Sequence, residues 1–153
     1  MEPLAKQRQR QAWLLAARPR TLPLACASIL LGSGLAATTQ AFNPAVLLLA
    51  LLTAIALQVL SNLANDYGDA ASGADDEQRI GPVRAVSSGL LSPQAMRKGM
   101  VITALAATLL GLLLLVTAFG NQWGEILTFV LLRPMVIGGW GTLRSLFFSG
   151  YWG

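Results

Sequence analysis

Histidine is absent from all 153 residues, which excludes His-ligated metal centres and His general bases. The one cysteine, Cys26, excludes an internal disulfide, carries no information on redox compartment, and reads as a small packing residue. Charge is scarce as well: Asp, Glu, Lys and Arg make up 12% of the chain, against about 25% in a typical soluble domain. The deficit is concentrated. Residues 22–41, 44–64 and 99–120 contain no charged side chain, and each supplies the roughly 20 mainly apolar residues that a spanning helix requires. Hydrophobic residues account for 54% of the chain. These features predict an all-α integral membrane protein, a multi-spanning helix bundle with three complete spans. Residues 123–132 are apolar but too short to cross and contain Glu125, so they read as a partial fourth span.

What charge there is follows a pattern. The net charge is +4, yet its placement argues for topology rather than for nucleic acid. Lys6, Arg8, Arg10, Arg18 and Arg20 precede the first span, and Arg79, Arg84, Arg97 and Lys98 lie between the second and third. The short link at Phe42-Asn43 has none. Positive residues favour the cytoplasmic side, so the N-terminus and the 66–98 loop are expected to be cytoplasmic in a multi-pass protein of the bacterial inner membrane. Arg18 and Arg20 interrupt the early apolar run 13–17, so cleavage of a signal peptide is not expected. Residues 1–20 read instead as an interfacial lead-in with Trp13 at headgroup level. The first two spans form an antiparallel hairpin, and Ser92-Pro93 reads as a helix start, with Ser92 as N-cap and Pro93 at the first helical position.

The acids are placed least like a solvated surface. Five of the seven (Asp66, Asp69, Asp75, Asp76, Glu77) fall within twelve residues, directly after an apolar run. Asp66 and Asp69, at i and i+3, share a helix face, and Asn65 joins Asp69 at i+4. At the C-terminal end of the second helix the macrodipole disfavours anions by a few tenths to about 1 kcal/mol each, and the two carboxylates repel. A divalent cation reverses both penalties. Oxygen-only donors select a hard ion, and Mg²⁺ commonly uses one or two carboxylates plus substrate phosphates. Arg79 and Arg84 supply guanidinium groups suited to phosphate oxygens. Together these residues describe a lipid diphosphate site beside an apolar cavity. On charges alone, a solvated acidic loop with topology-setting arginines is an open alternative. A small membrane cation carrier using Asp66 and Asp69 is another, although transport predicts polar residues along the spans, where only scattered Ser, Thr and Gln58 occur.

Asn65-Asp66-Tyr67-Gly68-Asp69 at the end of a second span resembles the first aspartate-rich motif of the UbiA superfamily of intramembrane prenyltransferases. Arg18-Pro19-Arg20-Thr21-Leu22-Pro23, Gly73-Ala74-Asp75 and Arg79-Ile80-Gly81-Pro82-Val83-Arg84 are similar to its 1,4-dihydroxy-2-naphthoate polyprenyltransferase branch. The 4-hydroxybenzoate branch usually has a further aspartate where this chain has Gly73. The resemblance covers about residues 10–132. It implies that Asp66, Asp69 and Asn65, with Asp75 assisting, hold Mg²⁺ against a polyprenyl diphosphate, and that Arg79 and Arg84 neutralise the diphosphate. Asp66 and Asp69 would be the catalytic pair. The implied reaction transfers the polyprenyl group to 1,4-dihydroxy-2-naphthoate with decarboxylation, giving demethylmenaquinol, without a protein nucleophile. The alternative acceptor is 4-hydroxybenzoate or another aromatic.

The family has about nine spans and a second aspartate-rich motif, neither of which this chain supplies. Residues 1–132 are expected to be the N-terminal part of the prenyltransferase domain and 133–153 a non-native tail. Reading each codon's third base with the next codon's first two forces Gly at Met135–Val136 and at Trp140–Gly141. The same reading permits Tyr-Gly-Tyr-Arg-Gly-Leu-Gly-Asp, which resembles a segment the family carries after its fourth helix. The expected cause is a frameshift near Leu132–Arg133, the alternative being a genuine short variant with a divergent end, and the chain alone is then expected not to catalyse prenyl transfer.

Overall fold

The computed structural model describes residues 2–72 and 84–120, together with positions 122, 124 and 127. Four α-helices follow one another: α1 (Glu2–Ala17), α2 (Leu22–Thr38), α3 (Pro44–Ser72) and α4 (Pro93–Phe119), with a 3₁₀ turn at Pro19–Thr21 between the first two. Three stretches are long and apolar enough to cross a membrane: Lys6–Thr38, Pro44–Ser72 and Pro93–Phe119. The expected all-helical membrane architecture is what the described chain adopts. Residues 123 and 125–126 and 128–132 of the expected partial fourth span, Asp75, Arg79 and the 133–153 tail lie outside the described residues.

Each helix boundary has a local cause. Helix α1 stops because Arg18 turns left-handed (φ 50°, ψ 65°) ahead of Pro19, which has no N–H with which to continue the ladder. The Arg18 N–H is shared between the carbonyls of Leu14 and Leu15, at 3.2 and 3.3 Å. Thr21 then closes the turn, donating both its N–H and its hydroxyl to the Arg18 carbonyl at 2.9 Å. A non-glycine residue in this conformation costs about 1–3 kcal/mol and persists only where surrounding contacts impose it. Helix α2 ends at a second left-handed residue, Gln40 (φ 57°), with the Ala41 N–H donating to Ala36. Asn43 opens α3: its Oδ1 accepts the N–H groups of Ala45 and Val46 at 3.0 and 3.3 Å, with Pro44 at the first helical position. The short link makes α2 and α3 packed neighbours, the hairpin read from the sequence. Ser92 caps α4 as expected, its Oγ accepting the Ala95 N–H at 3.2 Å.

Two differences from the sequence reading concern α3 and α1. Helix α3 carries the Asn65–Asp69 turn at its C-terminal end, as expected, but continues to Ser72, into the stretch expected as the 66–98 loop. It can do so because its acidic side chains find cationic and N–H partners on the following turn, described below. Helix α1 packs against α3 and contributes Ala12 and Ala16 to a buried cluster with Leu63, Ala85, Leu91 and Met96. Trp13, Val59, Tyr67, Val86 and Met100 pack around it. Small residues at i and i+4 on α1 allow this close approach. Trp13 lies against Gly99 of α4, so its ring has a protein neighbour as well as its expected place near the headgroups. Away from this cluster the helices present leucines outward, among them Leu24, Leu31, Leu35, Leu105 and Leu109.

The chain divides into two compact units, Met1–Leu114 and Leu115–Gly153. The residues of the site described below belong to the first. In the second, α4 terminates at Gly120 in a left-handed conformation (φ 59°), its N–H donating to the Val116 carbonyl at 2.9 Å, a common glycine stop.

Candidate functional site

The site is built where the end of α3, the turn after residue 83 and the bend between α1 and α2 meet. Asp66 is 1% exposed. Its two carboxylate oxygens accept the backbone N–H groups of Ala85 (2.9 Å) and Val86 (3.1 Å). Enclosing an ionised carboxylate costs several kcal/mol unless its oxygens are satisfied, and hydrogen bonds to a charged acceptor contribute about 1.5–3 kcal/mol each. The arrangement works like a helix cap supplied from another element: adjacent N–H groups of a turn converge on one side chain. That turn is closed internally by the Ser88 N–H donating to the Arg84 carbonyl at 3.2 Å and the Leu91 N–H to the Ala85 carbonyl at 2.9 Å.

One residue before the captured N–H groups stands Arg84, 8% exposed, whose guanidinium forms an ion pair with the Asp69 carboxylate. Asp69 is 33% exposed and Asn65 is exposed. At i and i+4 these two share one face of α3, while Asp66 is turned to the interior. On the adjacent side of the helix, the Arg97 guanidinium stands 6.0 Å from the Tyr67 ring centroid, at the limit of a cation–π contact.

A polar network that the sequence reading passed over lies one turn back. Asn62, 3% exposed, donates through Nδ2 to the Ala17 carbonyl (2.8 Å) and to Thr21 Oγ1 (3.0 Å). Gln58 donates to Asn62 Oδ1 at 3.2 Å and to Thr21 Oγ1 at 3.4 Å. The signal was present as two amides four apart in an otherwise apolar run, which sets both on one helix face. The network holds the 18–21 bend against the middle third of α3. Arg18 and Arg20 therefore stand at the same end of the helices as Asp66 and Asp69.

The sequence-predicted residues thus fall into three groups. Asp69 and Arg84 are brought together. Asn65 stands beside Asp69 on the open face. Asp66 is adjacent in sequence but enclosed by backbone, and Asp75 and Arg79 lie outside the described residues. Among the described residues, no group of three or more His, Cys, Asp or Glu side chains is placed to hold a metal ion. As donors for Mg²⁺, Asn65 and Asp69 fit in chemistry and access: both offer oxygen, and neither is enclosed. Asp66, with both oxygens turned to N–H groups and no exposed surface, does not fit as presented.

The sequence pattern of the UbiA prenyltransferase family matches residues 25–141. The chain belongs to this family. It is 51% identical over 108 residues to a 1,4-dihydroxy-2-naphthoate octaprenyltransferase of Escherichia coli, covering 71% of this chain and 35% of that protein. It is 49% identical over 111 residues to the Haemophilus influenzae protein of the same name, covering 71% and 36%. A Mycobacterium tuberculosis protein, again of that name, is 43% identical over 102 residues, covering 67% and 35%. The chain spans about a third of the length of the curated relatives it matches. No solved structure matches it. The UbiA family match takes in the aspartate-rich end of α3, the turn at Arg84 and α4.

Proposed function

We propose that this chain is part of a prenyltransferase of the bacterial inner membrane that moves a polyprenyl group from its diphosphate to 1,4-dihydroxy-2-naphthoate, giving demethylmenaquinol. The observation that carries the reading is the Arg84–Asp69 pair at the open end of α3, in a chain half identical to proteins named for that reaction. A guanidinium and a carboxylate side by side present both halves of a diphosphate site: a donor for phosphate oxygens and an oxygen donor for their counter-ion. Asn65 and Asp69 would hold Mg²⁺, with Asp75 as a further oxygen donor. Bound there, the ion would neutralise charge on the departing diphosphate.

The chain's own groups do the rest. Arg84, with Arg79, holds phosphate oxygens and stabilises charge as the allylic C–O bond breaks. The resulting allylic cation is attacked by the electron-rich naphthoate ring, whose carboxylate leaves as carbon dioxide. The apolar faces of α2, α3 and α4 suit a polyprenyl tail. The N-terminus and the 66–98 loop are assigned to the cytoplasmic side by their basic residues. The Asn62–Thr21 contact, which sets the 18–21 bend beside the end of α3, supports a common side for both.

A cation carrier is favoured less, because the polar side chains Gln58 and Asn62 bond to Thr21 and the Ala17 carbonyl rather than forming a file along a span.

A chimera tests the reading. Residues 10–132 replace the matching third of the Escherichia coli relative, in a bacterium deprived of its own demethylmenaquinol-forming enzyme. Restored menaquinone, lost again with Asp69→Ala, is the expected result. Prenylation of 4-hydroxybenzoate in its place would move the assignment to the other branch. A stable, membrane-inserted chimera that prenylates neither acceptor would overturn it.

A further inference from the structure

The N–H groups at Ala85 and Val86 are both taken up by one carboxylate 19 and 20 residues earlier, and the residue immediately before them carries the guanidinium that meets Asp69. We infer that Asp66 is a positioning residue: it anchors the 84–86 backbone to α3 and thereby sets the Arg84 guanidinium against Asp69. In this role it is not itself a metal donor. Three observations converge. Asp66 is enclosed (1% exposed), so it presents no surface to a hydrated ion. Each oxygen accepts its own N–H donor, and both bonds tie it to the same turn. Its anchor point adjoins Arg84 in the chain, so a shift of the anchored backbone moves the root of that side chain directly.

The neighbouring groups agree. Ala85 is fully buried against Ala12, Ala16, Leu63 and Met96 in the same cluster, so the turn is seated by an apolar residue and oriented by a polar one. The two aspartates of the motif therefore divide the work. One faces inward and holds the loop; the other faces outward and meets charge. Helical spacing alone gives both the same face, and tertiary contacts separate them. The inference goes beyond the proposed reaction and rests on it only for the use made of Arg84.

The test uses the whole 153-residue chain in lipid nanodiscs. Amide hydrogen exchange is read at residues 85 and 86, and Mn²⁺ binding, standing in for Mg²⁺, is read by electron paramagnetic resonance. Asp66→Ala is expected to speed exchange at Ala85 and Val86 by about tenfold or more while α3 amides keep their protection. Asp66→Asn, which retains one acceptor oxygen, is expected to fall between Ala and wild type, and this partial rescue separates anchoring from general loosening. Mn²⁺ affinity should fall by about tenfold in Asp66→Asn, the low end for a group outside the coordination shell, and by well over about 100-fold in Asp69→Asn. Wild-type protection at residues 85 and 86 in both Asp66 variants overturns the inference, as does loss of Mn²⁺ in Asp66→Asn with that protection intact. If the wild-type chain binds no Mn²⁺, the metal part of the proposed function fails, while exchange at 85 and 86 still decides the role of Asp66. Should Asp66→Ala not fold, Asp66→Asn alone decides it by the same readings.

Discussion

The far edge of the Trp13 indole lies directly over the backbone of Gly99: a Cβ built on Gly99 would sit 2.5 Å from Cη2 and 2.7 Å from Cζ3. This contact docks α1 on α4 and requires the absence of a side chain at position 99. Gly99→Ala should therefore destabilise the chain by about 1–3 kcal/mol, the usual range for overpacking. Adding Trp13→Ala should return part of that loss. Thermal unfolding in detergent of the two single variants and the double variant measures the coupling; strict additivity would mean that the ring does not press on the glycine.

Asn62 makes a different kind of connection. Asn62→Leu keeps the branched shape, though not the volume, and leaves the Ala17 carbonyl and the Thr21 hydroxyl without the Nδ2 donor. Each unsatisfied buried polar group costs about 1–3 kcal/mol, so a loss of about 2 kcal/mol is expected. Proteolysis at the 18–21 bend should rise with it, since that bend includes a left-handed Arg18 that the network helps to hold. Unchanged cleavage in Asn62→Leu would show that the bend is held by Pro19 and Thr21 alone.

Arg84 and Asp69 are expected to separate charge from shape. In the chimera described above, Arg84→Lys retains the positive charge but loses the planar fork that grips two oxygens at once. Prenyl transfer should drop by about 10- to 100-fold in Arg84→Lys and by more than about 100-fold in Asp69→Ala, as for loss of a group that stabilises developing charge. Initial rates in membranes with matched protein levels give the comparison. Equal activity of Arg84→Lys and the parent would make the guanidinium geometry irrelevant.

The cap of α3 provides a control remote from the site. Asn43→Ala removes the acceptor of the Ala45 and Val46 N–H groups and should cost about 1 kcal/mol. Activity of the folded chimera should be unchanged. A large fall in rate at full occupancy of the folded state would connect the hairpin link to the chemistry.

The parts legible in the sequence were those decided locally. Uncharged runs of spanning length gave the three helices, the short Phe42-Asn43 link gave the hairpin, and Ser92-Pro93 gave the start of α4. The motif spacing brought Asn65, Asp69 and Arg84 forward as candidates. What escaped was decided by partners distant in the chain. The continuation of α3 to Ser72 depends on Arg84, Ala85 and Val86, and the inward turn of Asp66 depends on the same stretch. Helical spacing cannot distinguish two aspartates on one face when one of them meets a loop 19 residues later. Gln58 was read as a scattered polar residue and Asn62 was passed over because their partners, Ala17 and Thr21, sit on an earlier element.

The carbonyl of Ala17 finds its amide donor 45 residues further on, which gives the assembly a built-in order. Before position 62 is made, the elbow at 18–21 is held only by its own Thr21-to-Arg18 hydrogen bonds. Only when the returning arm threads back and brings position 62 alongside does the joint latch. The end of the N-terminal helix thus depends on a side chain that does not yet exist when that helix emerges.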